Sequence, residues 1–167
     1  MFYIAATRFN KETYDENMEY REKHDIPVIY GTNIRIRHTY PIGVCMFVVE
    51  MNNDTNRILG IGLIKNEQFV SEKKIRIYSN PDYNWNIYKG DYWLSREEIE
   101  EIDPYLVEIF ELILFKGKSH LKRVSGISVL TDKLMTNWRF DLPDIKNKVK
   151  HVFTSRFKTA KNCEDLR

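Results

Sequence analysis

Residues 41–64 read PIGVCMFVVEMNNDTNRILGIGLI. The first half, 44–51, is a near-continuous apolar run, the pattern of a strand buried in the middle of a sheet. Asn52, Asn53 and Asp54 follow, residue types whose side chains bond nearby backbone in turns. The run 58–64 (ILGIGLI) then returns as a second strand, so the stretch predicts a central β-hairpin. Gly60 and Gly62 inside the returning strand predict a bulge, or a place where another group packs close to the backbone.

On the N-terminal side, FYIAATR at 2–8 is β-prone and predicts an opening strand. Residues 10–24 are strongly charged, with Tyr14, Met18 and Tyr20 as apolar positions, and predict an exposed helix capped near Asn10 or Thr13 and stopped by Pro27. Residues 28–30 are a short apolar strand. Residues 33–38 alternate, Ile34 and Ile36 against Arg35 and Arg37, and predict a half-buried strand.

On the C-terminal side, 74–78 alternates again and predicts another strand, and Asn80-Pro81-Asp82 a turn. The aromatic segment 84–93 should hold one more strand around Tyr92 and Trp93. Ser95 with Glu98 is a capping box, and Asp103-Pro104 a second helix start. The helix 104–115 carries an apolar stripe of Leu106, Ile109, Phe110, Ile113 and Leu114, and Gly117 ends it. A strand at 125–130, a helix at 131–138 and a basic amphipathic helix at 142–157 complete the reading, with a frayed tail from Thr159. Strands in the middle and helices at both ends make an α+β layout: a small bent or barrel-like mixed sheet flanked by helices.

At 167 residues the chain is one domain in length. Its net charge of +2 conceals an asymmetry. Residues 1–115 hold 13 Lys and Arg against 19 Asp and Glu, net −6, while residues 116–161 hold 12 against 3, net +9. A basic block on an acidic chain is a statement about partners, and phosphates are the commonest partner of such a block. Cys45 sits in an apolar run and reads as a buried hydrophobe, and Cys163 lies near a polar tail, so neither a disulfide framework nor a metal pair is expected. With no signal-peptide pattern and no apolar run long enough to span a bilayer, the expected setting is intracellular, cytoplasmic or nuclear, without membrane contact or secretion. The abundance of Asn, Lys, Ile and Tyr fits an AT-rich genome such as that of a large DNA virus.

The motifs of nucleotide-binding loops, zinc proteases and serine hydrolases are missing, and His24, His38, His120 and His151 have no metal-ligand spacing. Glu97, Glu98, Glu100 and Glu101 stand in the first turns of a helix, where carboxylates favour the dipole. No catalytic residue, metal or cofactor is expected. Three other features stand out. Five aromatics, Tyr83, Trp85, Tyr88, Tyr92 and Trp93, fall within eleven residues, and flat rings stack on bases. The loop KGKSHLKR crowds Lys116, Lys118, His120, Lys122 and Arg123 beside small residues, as phosphate contacts require. Tyr30-Gly31-Thr32-Asn33 places small polar groups after an aromatic at a strand end, where a flipped base is read, with Arg35 and Arg37 next to them. A tight turn between two strands accounts equally well for that segment.

The order of these features resembles the PUA-like superfamily, and within it the YTH and EVE domains. FYIAATR, the following helix, Ile29 to Asn33, the hairpin at 41–64, NWNIYKGDYWLSREEI and KGKSHLKRVSG come in the family's order over residues 1–130. In YTH domains a tryptophan after the first helix forms one wall of a cage for a methylated adenine, and Tyr30 stands at that position. The resemblance implies Trp85 as the second wall, Thr32 and Asn33 as groups that bond the base, and Trp93 as part of the same pocket. It implies Lys122 or Arg123 on phosphate.

The function expected is therefore binding of a nucleic acid, RNA more than DNA, with a modified or flipped base in an aromatic pocket and Arg35, Arg37 and the 116–123 loop on phosphates. Residues 131–167 would be a basic helical extension packed on the same domain. Two alternatives remain open. One is a structural or interaction subunit docking a protein through Val149, Val152 and Phe153 of the helix 142–157. The other is a nuclease on a PUA-like scaffold.

Overall fold

The computed structural model describes residues 1–157, so Cys163 and the tail from Thr159 lie outside the described residues. The chain forms β1 (Phe2–Phe9), α1 (Lys11–His24), β2 (Val28–Thr32), β3 (Cys45–Asn52) and β4 (Arg57–Lys65). After a single 3-10 turn at Pro81–Asn84 come β5 (Asn86–Gly90), β6 (Tyr92–Ser95), α2 (Arg96–Ile102) and α3 (Pro104–Phe115). The last elements are β7 (Ser128–Val129), α4 (Asp132–Thr136) and α5 (Leu142–Arg156). The fold is α+β.

The apolar run of β3 is the centre of a five-stranded sheet in the order β6-β4-β3-β1-β7. β3 runs parallel to β1 over the full length of both, from Phe2 opposite Cys45 to Phe9 opposite Asn52, and forms the expected hairpin with β4. A register shift beside Glu50 and Met51 puts a bulge in that hairpin. β2 and β5 make a separate antiparallel ribbon, with Tyr30 opposite Tyr88. Neither sheet closes into a barrel. β7 pairs with only two residues of β1, Ala5 and Ala6, so it leaves most of that edge uncovered.

Alternation along β3 builds two cores, because successive side chains point to opposite faces. Phe47, Val49 and Met51 face the helical layer with Phe110, Ile113, Val149 and Phe153. Met46 and Val48 face the ribbon with Ile29, Tyr30, Ile87 and Tyr88. The apolar stripe of α5 is therefore not a docking face: Ile145, Val149, Val152 and Phe153 are all at most 1% exposed, sealed against the sheet. Leu130, Leu134 and Met135 join the same core, so residues 131–157 complete the domain.

Two expected strands are loops. At 33–38, Thr32 Oγ donates to the Ile34 carbonyl at 2.6 Å, and the Ile36 N–H goes to the Tyr88 hydroxyl at 3.1 Å. These side-chain partners replace a strand ladder. At 74–78, the Asn84 carboxamide takes the place of a neighbouring strand. Its Oδ1 accepts from the N–H groups of Ile77 and Tyr78, and its Nδ2 donates to the Tyr78 carbonyl at 2.8 Å. The aromatic segment holds two strands, β5 and β6, where the pattern predicts one.

Candidate functional site

β2 meets two polar sites, one through the Tyr30 side chain and one at its C-terminal end, where Gly31, Thr32 and Asn33 follow. On the inner side Tyr30 is 1% exposed, and its hydroxyl donates to Glu50 Oε1 at 2.8 Å. Arg21 of α1 reaches the same oxygen at 2.6 Å, and the Trp93 indole N–H at 3.1 Å. The Arg21 guanidinium lies 5.6 Å from the Tyr30 ring centre and 5.6 Å from that of Trp93, so two aromatic faces flank one cation. Burial works against the charge on Arg21, but Glu50 and its hydrogen bond outweigh it and hold the pKa above the usual arginine range. Burial, then the Glu50 charge, pushes the Tyr30 phenol well above its ordinary value.

The glycines of β4 make this cluster fit. A Cβ on Gly62 would overlap the Tyr30 hydroxyl, and one on Gly60 would come within 2.9 Å of the Trp93 ring. The cluster is also incompletely bonded. Glu50 Oε2, Arg21 Nε and Nη1 and the nearby Asn17 Oδ1 are buried without a hydrogen-bond partner. It is a buried ion pair pinning α1 to the central strand, shut off from solvent.

On the outer side lies a pocket of about 300 Å³. Strand periodicity explains where it opens. The Ile4 carbonyl accepts from Leu130 on one side of β1, and the Phe9 carbonyl accepts from Asn53 on the other. Peptide groups of Ile4, Ala6 and Arg8 therefore face β7. β7 ends at Ser128 opposite Ala6, and no backbone hydrogen bond among the described residues joins Arg8 to Gly126. The two chains part there like a fork. Thr7, Arg8 and Phe9 line one prong, and Ser125 and Gly126 the other. The Arg8 N–H and C=O thus face the opening as an adjacent donor and acceptor.

Aromatic and amide side chains complete the walls. Tyr78 and Tyr83 line the pocket across from Gly31, Thr32 and Asn33. Gly31 is needed here, because a Cβ would overlap the Tyr83 carbonyl and sit 3.1 Å from the Tyr78 ring. The Tyr78 hydroxyl turns inward to accept from Asn17 Nδ2 at 2.9 Å, so its ring edge is held in place from the cluster side. Burial raises that phenol far above its ordinary pKa. Among the described residues the lining includes no carboxylate, imidazole or thiol.

The basic loop meets this pocket through one carbonyl. Lys122 O accepts from Arg8 Nη1 at 3.1 Å and from Asn53 Nδ2 at 2.7 Å, and both donors belong to pocket-lining residues. Gly117 and Gly126, at φ of 75° and 66°, let the chain turn at the two ends of the loop. Across the fork, Gly126 packs against Ile34, which brings the 33–38 segment alongside. Lys116, Lys118, Arg123, Arg35 and Arg37 are exposed and Lys122 is half-buried. Among the described residues none of these six cations is in an ion pair, whereas Arg21, Arg96, Lys148 and Arg156 all are.

The structure thus divides the residues singled out from sequence. Thr32 and Asn33 line the pocket, and the loop that carries Lys116, Lys118, His120, Lys122 and Arg123 meets it through the Lys122 carbonyl, its first half packing instead beside Asn137 and Trp138. Tyr30 and Trp93 are not pocket walls, because both turn toward Glu50. Trp85 stands 67% exposed just beyond Tyr83, outside the lining. Arg8, Asn53, Tyr78 and Tyr83 take the wall positions instead. Tyr83 and Asn53 carry a signal in sequence, as part of the aromatic cluster and of the hairpin turn. Arg8 and Tyr78 carry none.

No protein-family model matches the chain, and neither a curated protein nor a solved structure is detectably similar to it. No helix among the described residues is long and apolar enough to cross a membrane, and no group of three or more His, Cys, Asp or Glu is placed to hold a metal ion there.

Proposed function

We propose that this domain binds a single-stranded nucleic acid, RNA in preference to DNA, with one base in the fork pocket and phosphates on the basic rim. The observation that carries the reading is the rim itself. Six cations with no acidic partner among the described residues lie on the two segments that lead away from a pocket walled by Tyr83, the Tyr78 ring edge, Arg8 and uncharged hydrogen-bonding groups. Paired cations hold a fold together, whereas unpaired exposed ones in two adjacent loops are free for phosphates. The main-chain donor and acceptor of Arg8, with the Asn33 amide, suit the edge of a base, and the partly exposed Tyr83 ring suits its face. A volume of about 300 Å³ is at the small end for ligand pockets and suits one base rather than an extended chain. The preference for RNA, and the reading of a modified base, rest only on the resemblance of the sequence order to YTH and EVE domains, whose cage positions Tyr30 and Trp85 lie outside this pocket.

The test is a binding titration with short RNA at two salt concentrations. Wild-type affinity should fall steeply as salt rises, since each phosphate contact releases counterions. The double substitution Lys122→Glu, Arg123→Glu should abolish binding while the thermal melt stays unchanged, because neither side chain is in the core. Retained binding by that variant at low salt would sink the assignment of the rim.

A further inference from the structure

We infer that the nucleic-acid surface continues beyond the fork pocket, along residues 33–40, to Lys146 of α5, so that the protein holds a strand of several nucleotides rather than a single base. The inference rests on the reading of the pocket just given and extends it to a helix otherwise explained by packing alone.

The path can be followed contact by contact. Asn33 lines the pocket, and Ile34 packs on Gly126 at its rim. The chain then runs through exposed Arg35, Arg37 and His38 to Tyr40, whose N–H donates to the Arg37 carbonyl at 3.1 Å. Asn66 pins the far end, its Nδ2 donating to the carbonyls of Tyr40 and Pro41 at 3.1 and 3.0 Å. The Tyr40 ring meets that of Tyr3 edge-on at 4.8 Å. Tyr3 lies at the start of β1, while the pocket lies at its end. Five residues separate Tyr3 from Arg8, about 17 Å at strand rise. Lys146 stands over this far end, its ammonium 5.4 Å from the Tyr3 ring and 5.7 Å from that of Phe2.

Charge along the path has one sign. The sequence has no Asp or Glu from Asn33 to Val49, nor from Lys116 to Thr131. Lys146 has no acidic partner among the described residues, although Lys148, two positions on, pairs with Asp103 at 3.7 Å. Cations alternate with half-buried tyrosines, the combination that tracks a backbone and stacks bases without reading sequence. A site of about four nucleotides, the low end of the range for single-strand binding domains, matches the length.

Anisotropy titrations of the full chain with fluorescein-labelled random RNA of three and of twelve nucleotides test this. The variants are Lys146→Glu, the conservative Lys146→Arg, and Lys148→Glu as a charge-matched control on the same helix. Lys146→Glu should bind the trimer as wild type does and the dodecamer about threefold to fivefold more weakly. Its salt slope on the dodecamer should drop by about 0.7, the value for one lost phosphate contact. Lys146→Arg and Lys148→Glu should match wild type in binding, and melting should be unchanged in the Lys146 variants and slightly lowered in Lys148→Glu, which loses its pair with Asp103. Wild-type affinity and slope in Lys146→Glu would overturn the track while leaving the pocket reading intact, as would an equal loss in Lys148→Glu. Failure of the wild-type chain to bind either RNA would overturn both.

Discussion

The cluster beneath β2 and the rim above it both carry positive charge, and they hold it in opposite ways. Arg21 is 4% exposed, and its one carboxylate partner is shared with a tyrosine and a tryptophan. The cations of the rim are exposed, Lys122 half-buried, and have no acidic partner among the described residues. Taking an arginine out of water costs several kcal/mol unless an opposite charge and hydrogen bonds offset it, so the inner cation is committed to the fold. The rim cations pay no such penalty and stay available. One strand touches both sites: Tyr30 reaches Glu50, and the C-terminal end of the strand, Gly31 to Asn33, lines the pocket.

That contrast can be broken from the inside first. Glu50→Gln would leave Arg21 buried without a counter-charge and should destabilise the protein by about 3–5 kcal/mol in urea unfolding. It should weaken RNA binding only as far as the fold itself is lost. A loss below about 1 kcal/mol would mean that the cluster is wetter than its burial implies. On the outside, Trp85→Ala should leave stability within about 0.5 kcal/mol, because the ring is exposed. If a base stacks on it beside the pocket, affinity should drop by about 1–3 kcal/mol. Reduced stability with unchanged affinity would instead assign Trp85 to the fold.

The smallest effect is one of pH. Burial raises the phenol pKa of Tyr14, Tyr30 and Tyr78 in the folded state, while in the unfolded chain each titrates near 10. A raised folded pKa gives stability that is complete below the unfolded value and is lost as pH climbs through the folded one. Melting temperature should therefore hold through about pH 9 and decline above about pH 10. In an absorbance titration of the native protein, Tyr14, Tyr30 and Tyr78 should ionise only above about pH 10. Ionisation of these three already at about pH 10 would show that the inner site is open to solvent.

Much of the fold can be read along the chain. Residues 41–64 predict the hairpin that centres the sheet, and the pair of glycines in β4 predicts the close approach that Tyr30 and Trp93 make. The caps at Asn10, Ser95 and Asp103 start helices as expected, since a cap is a local hydrogen bond between residues three apart. The strands expected at 33–38 and 74–78 fail for a non-local reason. Their backbone groups are claimed by Tyr88, and by Asn84 from across a turn, so alternation alone was not enough.

The candidate site is legible in part. Thr32, Asn33 and the basic loop stand out because residue type and clustering carry them; Thr32 and Asn33 line the pocket, and the loop reaches it through the Lys122 carbonyl. Tyr30 and Trp93 were expected beside them, but their direction depends on a glutamate 20 and 43 residues away. Local sequence thus determines the hairpin, the helix starts, and the separation of a basic block from an acidic chain, because each depends on neighbours within a few positions. Only tertiary structure decides which aromatics face a carboxylate and which face a ligand. That choice is made where β1 and β7 part and where α1 delivers Arg21 to Glu50, contacts between residues far apart along the chain.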